Sequence, residues 1–255
     1  MRSIFVIWRK EMRSYFVSPI AYLLMTMFAL IFGLMSWNIL GYFVVLGMES
    51  QLRGQAMPMN INEQIIRPML ANASVIGLFM VPMITMRLFA EEKRTGTIEL
   101  LVTSPIRDLE VILGKWLAAM ILYAGLLLFT ALNFSFLFKY GNPDWKPLAV
   151  GYLGLLLQAG ALLAIGTFIS TLTKNQIIAG AATFGVCLLL WVLGWVSGYE
   201  TATWARVLSY LSVTTHFESF GRGVLDSKDA IYYVSAIFMW LFLTARSMES
   251  LRWRS

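Results

Sequence analysis

His216 is the only histidine and Cys187 the only cysteine in 255 residues, so the side chains that most often bind metals or act as nucleophiles occur once each. A zinc site needs several such ligands together. His216 has no cysteine nearby, no second histidine and no HExxH pattern, and beside Phe217 and Glu218 it reads as structural. No set of nucleophile, base and orienting group can be assembled around it. Cys187 sits inside an apolar run, as a buried small hydrophobe does, and one cysteine closes no intrachain disulfide. Gly114-Lys115 lacks the upstream glycine and the following Ser or Thr of a phosphate-binding loop. The chain is therefore expected to be no enzyme, to hold no metal and to carry no cofactor of its own.

The polar residues inside apolar runs are few. Asn133 and Gln158 stand out as candidates to line a path or to bond helix to helix, and Asn38 lies nearer a run's end. Such interhelical bonds are worth about 0.6–2 kcal/mol, and helix glue is their default role. The runs hold no Asp, Glu, Lys or Arg away from their ends. Transporters driven by protons or sodium place ionisable groups at mid-membrane, so energy for any transport is expected from another subunit.

These residues must be positioned by membrane helices. Hydrophobic residues make up 58% of the chain and charged ones 13%, about half the share usual in soluble proteins, and the mean hydropathy is +0.70. Six apolar runs emerge, at residues 20–46, 69–88, 116–138, 148–172, 177–196 and 230–245. A helix of about 20 residues crosses the hydrocarbon, and backbone hydrogen bonding in lipid excludes an open sheet. The expected fold is all-α, a polytopic membrane protein of six transmembrane helices forming a single domain over 1–255. The first run is too long for a signal-peptide core and is expected to stay. Pro82 should kink the second span. Gly154, Gly160 and Gly166 in the fourth run and Gly180 and Gly185 in the fifth give smooth faces for intrachain packing or a dimer seam.

The net charge of +6 does not indicate nucleic acid, because the basic residues sit at the ends of apolar runs and form no stripe. With both termini on the cytoplasmic side, thirteen Lys and Arg fall there and seven outside, which is the positive-inside orientation.

Three connectors carry further information. Residues 1–18 project Ile4, Phe5, Trp8, Met12, Tyr15 and Phe16 onto one helical face and Arg2, Arg9, Lys10, Arg13 and Ser14 onto the other, with Val6 and Ile7 breaking the pattern. Such a helix is expected to lie in the membrane interface, with Trp8, Arg9 and Arg13 as anchors against lipid, the alternative being a plain cytoplasmic start to the first helix. Residues 89–114 begin polar, turn at Gly96, and offer Ile98, Leu100, Leu101 and Val102 before Ser104-Pro105. This reads as a short cytoplasmic helix whose apolar ridge is too small for a core and suits a partner surface, the alternative being an ordinary charged loop against the headgroups. Residues 198–229 are apolar for a connector and predict one or two short helices dipping into the outer leaflet, or a loop with a small apolar cluster.

The run Arg87-Leu88-Phe89-Ala90-Glu91-Glu92-Lys93-Arg94-Thr95-Gly96-Thr97-Ile98-Glu99-Leu100-Leu101, then Thr103-Ser104-Pro105 and Leu113-Gly114-Lys115, resembles the signature after the second span of type-2 ABC transporter permeases. Tyr210-Leu211-Ser212, His216-Phe217, Phe220, Gly223-Val224-Leu225-Asp226 and the Arg-rich tail extend the likeness to the branch typified by the gliding-motility permease GldF and the copper-site assembly permease NosY. The resemblance implies a permease of the bacterial inner membrane with an N-terminal elbow helix, a coupling helix around Arg94 to Ser104, and paired re-entrant helices before the sixth span. It implies a cytoplasmic ABC ATPase that binds ATP and Mg, a second permease copy or close paralogue, and a GldG-like periplasmic subunit. The docking residues would be Glu91, Glu92, Lys93, Arg94, Gly96, Thr97, Glu99 and Leu100. Met57-Pro58-Met59, in an outer loop longer than in many relatives, is too slight to make a copper site. Export of a substrate is the leading use, and a force-transmitting scaffold acting on a periplasmic partner is the alternative.

Overall fold

The structure, a computed structural model, describes residues 2–53, 60–99, 106–195 and 203–252. The chain forms α1 (Arg2–Val17), α2 (Pro19–Leu52), a π-helical turn (Asn62–Ile66) running into α3 (Arg67–Thr85), and the short α4 (Ala90–Thr95). After these come α5 (Asp108–Tyr140), α6 (Trp145–Leu172), α7 (Gln176–Val192), α8 (Thr203–Tyr210), α9 (Val213–Gly221) and α10 (Ser227–Arg252). No strand occurs among the described residues. Met57-Pro58-Met59, Leu100 to Pro105 and Val196 lie outside the described residues.

Local signals set where the helices begin. Pro19 opens α2 at the position where its missing N–H costs nothing, and the Ser18 hydroxyl accepts from Ile20 N at 3.4 Å. Asp144 and Asn175 cap α6 and α7 by accepting from Lys146 N (3.2 Å) and Ile177 N (2.9 Å). Pro82 lies inside α3, which ends at Thr85 within a turn of it.

Six helical stretches are long and apolar enough to cross a membrane: Pro19–Leu52, Asn62–Thr95, Asp108–Tyr140, Trp145–Leu172, Gln176–Trp195 and Ser227–Ser250. Successive spans reverse direction. The starts of α2, α5 and α7 therefore meet the ends of α3, α6 and α10 at one end, here the base, where α1 also packs. The turns after α5 and before α10 form the far end.

The second, third and fourth spans are the buried ones, and α6 is central, packed by α3, α7, α9 and α10. Its small residues make this possible. A Cβ on Gly151 would come within 2.3 Å of Leu70, on Gly154 within 2.4 Å of Phe220, and on Gly166 within 2.2 Å of Thr85. The smooth face of the fourth span thus serves intrachain packing. The fifth is divided: a Cβ on Gly180 would come within 3.4 Å of Met86, whereas Gly185 has open space around it and Ala181 and Ala182 are exposed. Between α3 and α6, Ser74 Oγ donates to Gln158 Oε1 at 2.8 Å, both residues being buried.

Candidate coupling site at the base of the bundle

Lys115 is 1% exposed, seated one turn and more inside α5. Its ammonium donates to Glu11 Oε1 of α1 at 2.8 Å and to Glu92 Oε1 of α4 at 3.0 Å, and lies 5.2 Å from the centre of the Phe89 ring. Three elements are therefore fixed to one cation. Lys10 reaches Glu92 at 3.5 Å from an exposed position. Glu92 Oε2 is buried without a hydrogen-bond partner among the described residues. A buried ion pair contributes little net stability, but stripping one partner from it is costly. The arrangement therefore fixes geometry more than it adds stability.

A second ring of contacts ties α4 to the spans. Arg87 donates to Glu91 through Nε (2.9 Å) and Nη2 (3.4 Å), while its Nη1 reaches the Ser18 hydroxyl at 3.2 Å, joining α4 to the start of α2. Ser170 Oγ of α6 accepts from Phe89 N (3.0 Å) and Ala90 N (3.1 Å), the free donors at the entry to α4. Lys93 donates to the Thr171 carbonyl at the end of α6, and Thr171 Oγ1 bonds Ser247 of α10 at 2.8 Å. Tyr15 of α1 is buried and donates to the Ile84 carbonyl at 3.3 Å. Burial, reinforced by the Glu11 charge, pushes its phenol well above the ordinary value, so it stays a neutral donor.

The expected docking residues divide between anchoring and display. Glu91, Glu92 and Lys93 are spent on these internal contacts. Arg94, Thr97 and Glu99 are exposed, with Gly96 at the turn. Gly96 adopts φ +74°, the left-handed conformation that ends a helix and suits glycine. Thr95 Oγ1 closes the turn on Glu91 O (3.0 Å) and Thr97 Oγ1 (2.9 Å). Ile98 and Glu99 are helical again, and Ile98 packs on the core. Leu100 lies outside the described residues.

The face of α1 differs from the expected one. Ile7, Glu11 and Tyr15 point inward, with Trp8 and Met12 packed beside them, while Phe5, Val6, Phe16 and Val17 are exposed. The buried face is thus turned by roughly 60° from the apolar projection. The cause is Gly114 of α5, where a Cβ would meet Ile7 Cβ at 2.9 Å and the Ile4 carbonyl at 3.1 Å. Ile7, which breaks the sequence pattern, is the residue that fills this notch. Trp8 Nε1 is buried without a hydrogen-bond partner among the described residues, and Arg9 and Arg13 are exposed.

Asn133 donates to the Phe129 carbonyl of its own helix at 3.4 Å, whereas Gln158 Oε1 accepts from Ser74 across to α3 and its Nε2 is buried without a partner among the described residues. At the far end, His216 Nε2 donates to the Tyr210 carbonyl (2.9 Å) and Nδ1 lies 2.7 Å from Asp229 Oδ1. Ser219 donates to the other carboxylate oxygen. Tyr232 stacks on the imidazole at 3.9 Å. Both ring nitrogens are engaged and the residue is 3% exposed, which fits a pin between α9 and α10. No group of His, Cys, Asp and Glu among the described residues is arranged to hold a metal.

Residues 5–245 match the model of the family described as ABC-2 family transporter protein. The chain belongs to the ABC-2 transporter family. It is a multi-pass membrane protein and a membrane-spanning transporter subunit of that family. Among curated ABC-2 relatives, it is similar to the probable multidrug ABC transporter permease YbhR of Escherichia coli strain K12 and of Escherichia coli O157:H7. The identity in each case is 25% over 169 residues, covering 65% of this chain and 44% of the relative. The chain thus spans less than half the length of the curated relatives it matches.

Proposed function

We propose that this chain is the permease half of an ATP-driven exporter of the bacterial inner membrane, with both termini cytoplasmic and its energy supplied by a separate ABC ATPase. The observation that carries the reading is Lys115, which locks α1, α4 and α5 into one unit beneath a bundle whose spans hold no catalytic constellation. In it, α1 is the elbow helix at the cytoplasmic leaflet. The coupling region begins at Arg94, and α8 and α9 are the re-entrant pair.

The ATPase docks on Arg94, Gly96, Thr97, Glu99 and Leu100, while Glu91, Glu92 and Lys93 pass its movement to the spans. ATP and Mg stay on the ATPase. A second permease copy or close paralogue covers the exposed faces of α2 and α7 and completes the transport path. The likeness to a permease named for multidrug transport supports export of a substrate. That Asn133 and Gln158 bond within the bundle supports the second reading, a scaffold that transmits force to a periplasmic partner of the GldG kind.

A photocrosslinking residue placed at Thr97, which is exposed, tests the docking in native membranes. It is expected to capture a protein carrying ATP-binding signatures, whereas the same residue at Leu153, exposed in mid-span, captures none. Lipid or no adduct at Thr97 would refute the reading.

A further inference from the structure

The outward face of α1 mixes charge and apolar surface instead of separating them. Arg9 and Arg13 are exposed, one helical turn apart, and neither has an ion-pair partner among the described residues. In projection they lie between two apolar flanks. Phe5 (60% exposed) and Phe16 are on one side, and Val6 (62%) and Val17 (77%) on the other. A shallow groove of about 680 Å³ runs along this face, lined by Phe5, Val6, Arg9, Arg13 and Phe16, with Met12 and with Lys10, which is turned to Glu92 at 3.5 Å.

A surface turned to water would not surround two guanidiniums with exposed aromatic and branched side chains. A surface turned to hydrocarbon alone would not carry two unpaired cations. The combination matches a molecule with an anionic head and apolar tails. We infer that this face of α1 is a binding site for an anionic phospholipid, its phosphate forked between Arg9 and Arg13 and its acyl chains laid over Phe5 and Phe16.

The chemistry of each part is ordinary. Guanidinium forks match phosphate oxygens in geometry as well as charge, and basic residues beside an anionic leaflet each strengthen binding by about fivefold. The opposite face of the same helix holds Glu11 on Lys115 and Tyr15 on the Ile84 carbonyl. Bound lipid would therefore press on the helix that closes the coupling site. The inference rests on the placement of α1 in the cytoplasmic leaflet.

The test uses the full chain in detergent, mixed with equal amounts of phosphatidylglycerol and phosphatidylcholine of identical acyl chains, with retained lipid read by native mass spectrometry. The wild type is expected to prefer phosphatidylglycerol by roughly 25-fold, the product of two such cations. R9Q/R13Q abolishes the preference, R13Q alone reduces it about fivefold, and R9K/R13K keeps most of it. K146Q, at the far end, leaves it unchanged. Equal retention of the two lipids by the wild type would overturn the site. So would an unchanged preference in R9Q/R13Q, or displacement of the lipid by millimolar inorganic phosphate. Sidedness is read separately, by labelling R107C with a membrane-impermeant maleimide. A wrong orientation and an absent lipid site are thereby distinguishable.

Discussion

At the scale of the residue, one ammonium, that of Lys115, ties α1 and α4 to α5. Lys10 also approaches Glu92, but at 3.5 Å from a side chain 66% exposed, and such a pair is worth under about 1 kcal/mol. Lys115 is different because both its carboxylates and its own amine are withdrawn from water. Lys115→Met leaves Glu11 and Glu92 shielded from solvent with no buried cation, and is expected to cost about 3–5 kcal/mol in a detergent-unfolding measurement. Glu11→Gln and Glu92→Gln each cost less, because the ammonium keeps the other carboxylate, and the double variant costs more than their sum. A loss under about 0.5 kcal/mol for Lys115→Met would place the cluster among ordinary surface charges. In the sequence, Lys115 beside Gly114 reads as a cation flanking a span. Its partners lie 104 and 23 residues away, and no local pattern reports such a pairing. Glu11 offered a faint signal, as an acid on a helical face otherwise lined by Ile4, Trp8 and Tyr15. His216 reads as structural in the sequence because no cysteine, second histidine or HExxH pattern accompanies it. Its partner Asp229 is not legible there, since the helix that carries it returns from the far end.

At the scale of the element, the docking of α1 depends on a notch. Helical periodicity in residues 2–17 is visible in the sequence, but its phase is set by the partner, and the partner's decisive feature is a missing side chain. Gly114→Ala puts a Cβ at 2.9 Å from Ile7 and 3.1 Å from the Ile4 carbonyl, and main-chain atoms cannot swing aside. The expected cost is about 1–3 kcal/mol, and it falls on one interface. Amide hydrogen exchange should rise through Arg2–Val17 in this variant while α7, whose main packing is on α3 and α6, keeps its wild-type protection. Uniform change in both helices would mean that α1 is not an independently docked lever. The glycines of α6 follow the same logic. Their spacing announces a close helix approach, but only the assembled bundle shows that the fourth span faces inward, whereas Gly185 in the fifth meets open space.

At the scale of the whole molecule, the six apolar runs already read as an all-helical membrane protein, and the structure has six helices long enough to span. Physics explains why this much is readable: hydrocarbon demands long apolar helices, and catalysis demands clustered polar groups. The way a docked partner would move the spans is written in the contacts between distant segments. The polar residues of the base join α1, α4, α5, α6 and α10 through Lys115, Ser170, Thr171 and Ser247. Arg94 and Thr97 are exposed, and their side chains make no contact with Lys115, Ser170, Thr171 or Ser247 among the bonds described above. Binding and transmission should therefore separate. The most direct measurement uses the ATPase-bound permease with a cysteine introduced at Lys146, an exposed far-end position, since the native Cys187 is buried. Maleimide labelling is followed with and without ATP. Lys115→Met, verified as folded by its melting curve, should still bind the ATPase but lose at least tenfold of the ATP-dependent change in labelling, and Lys115→Arg should restore it. An ATP response in Lys115→Met equal to the wild type would contradict the account.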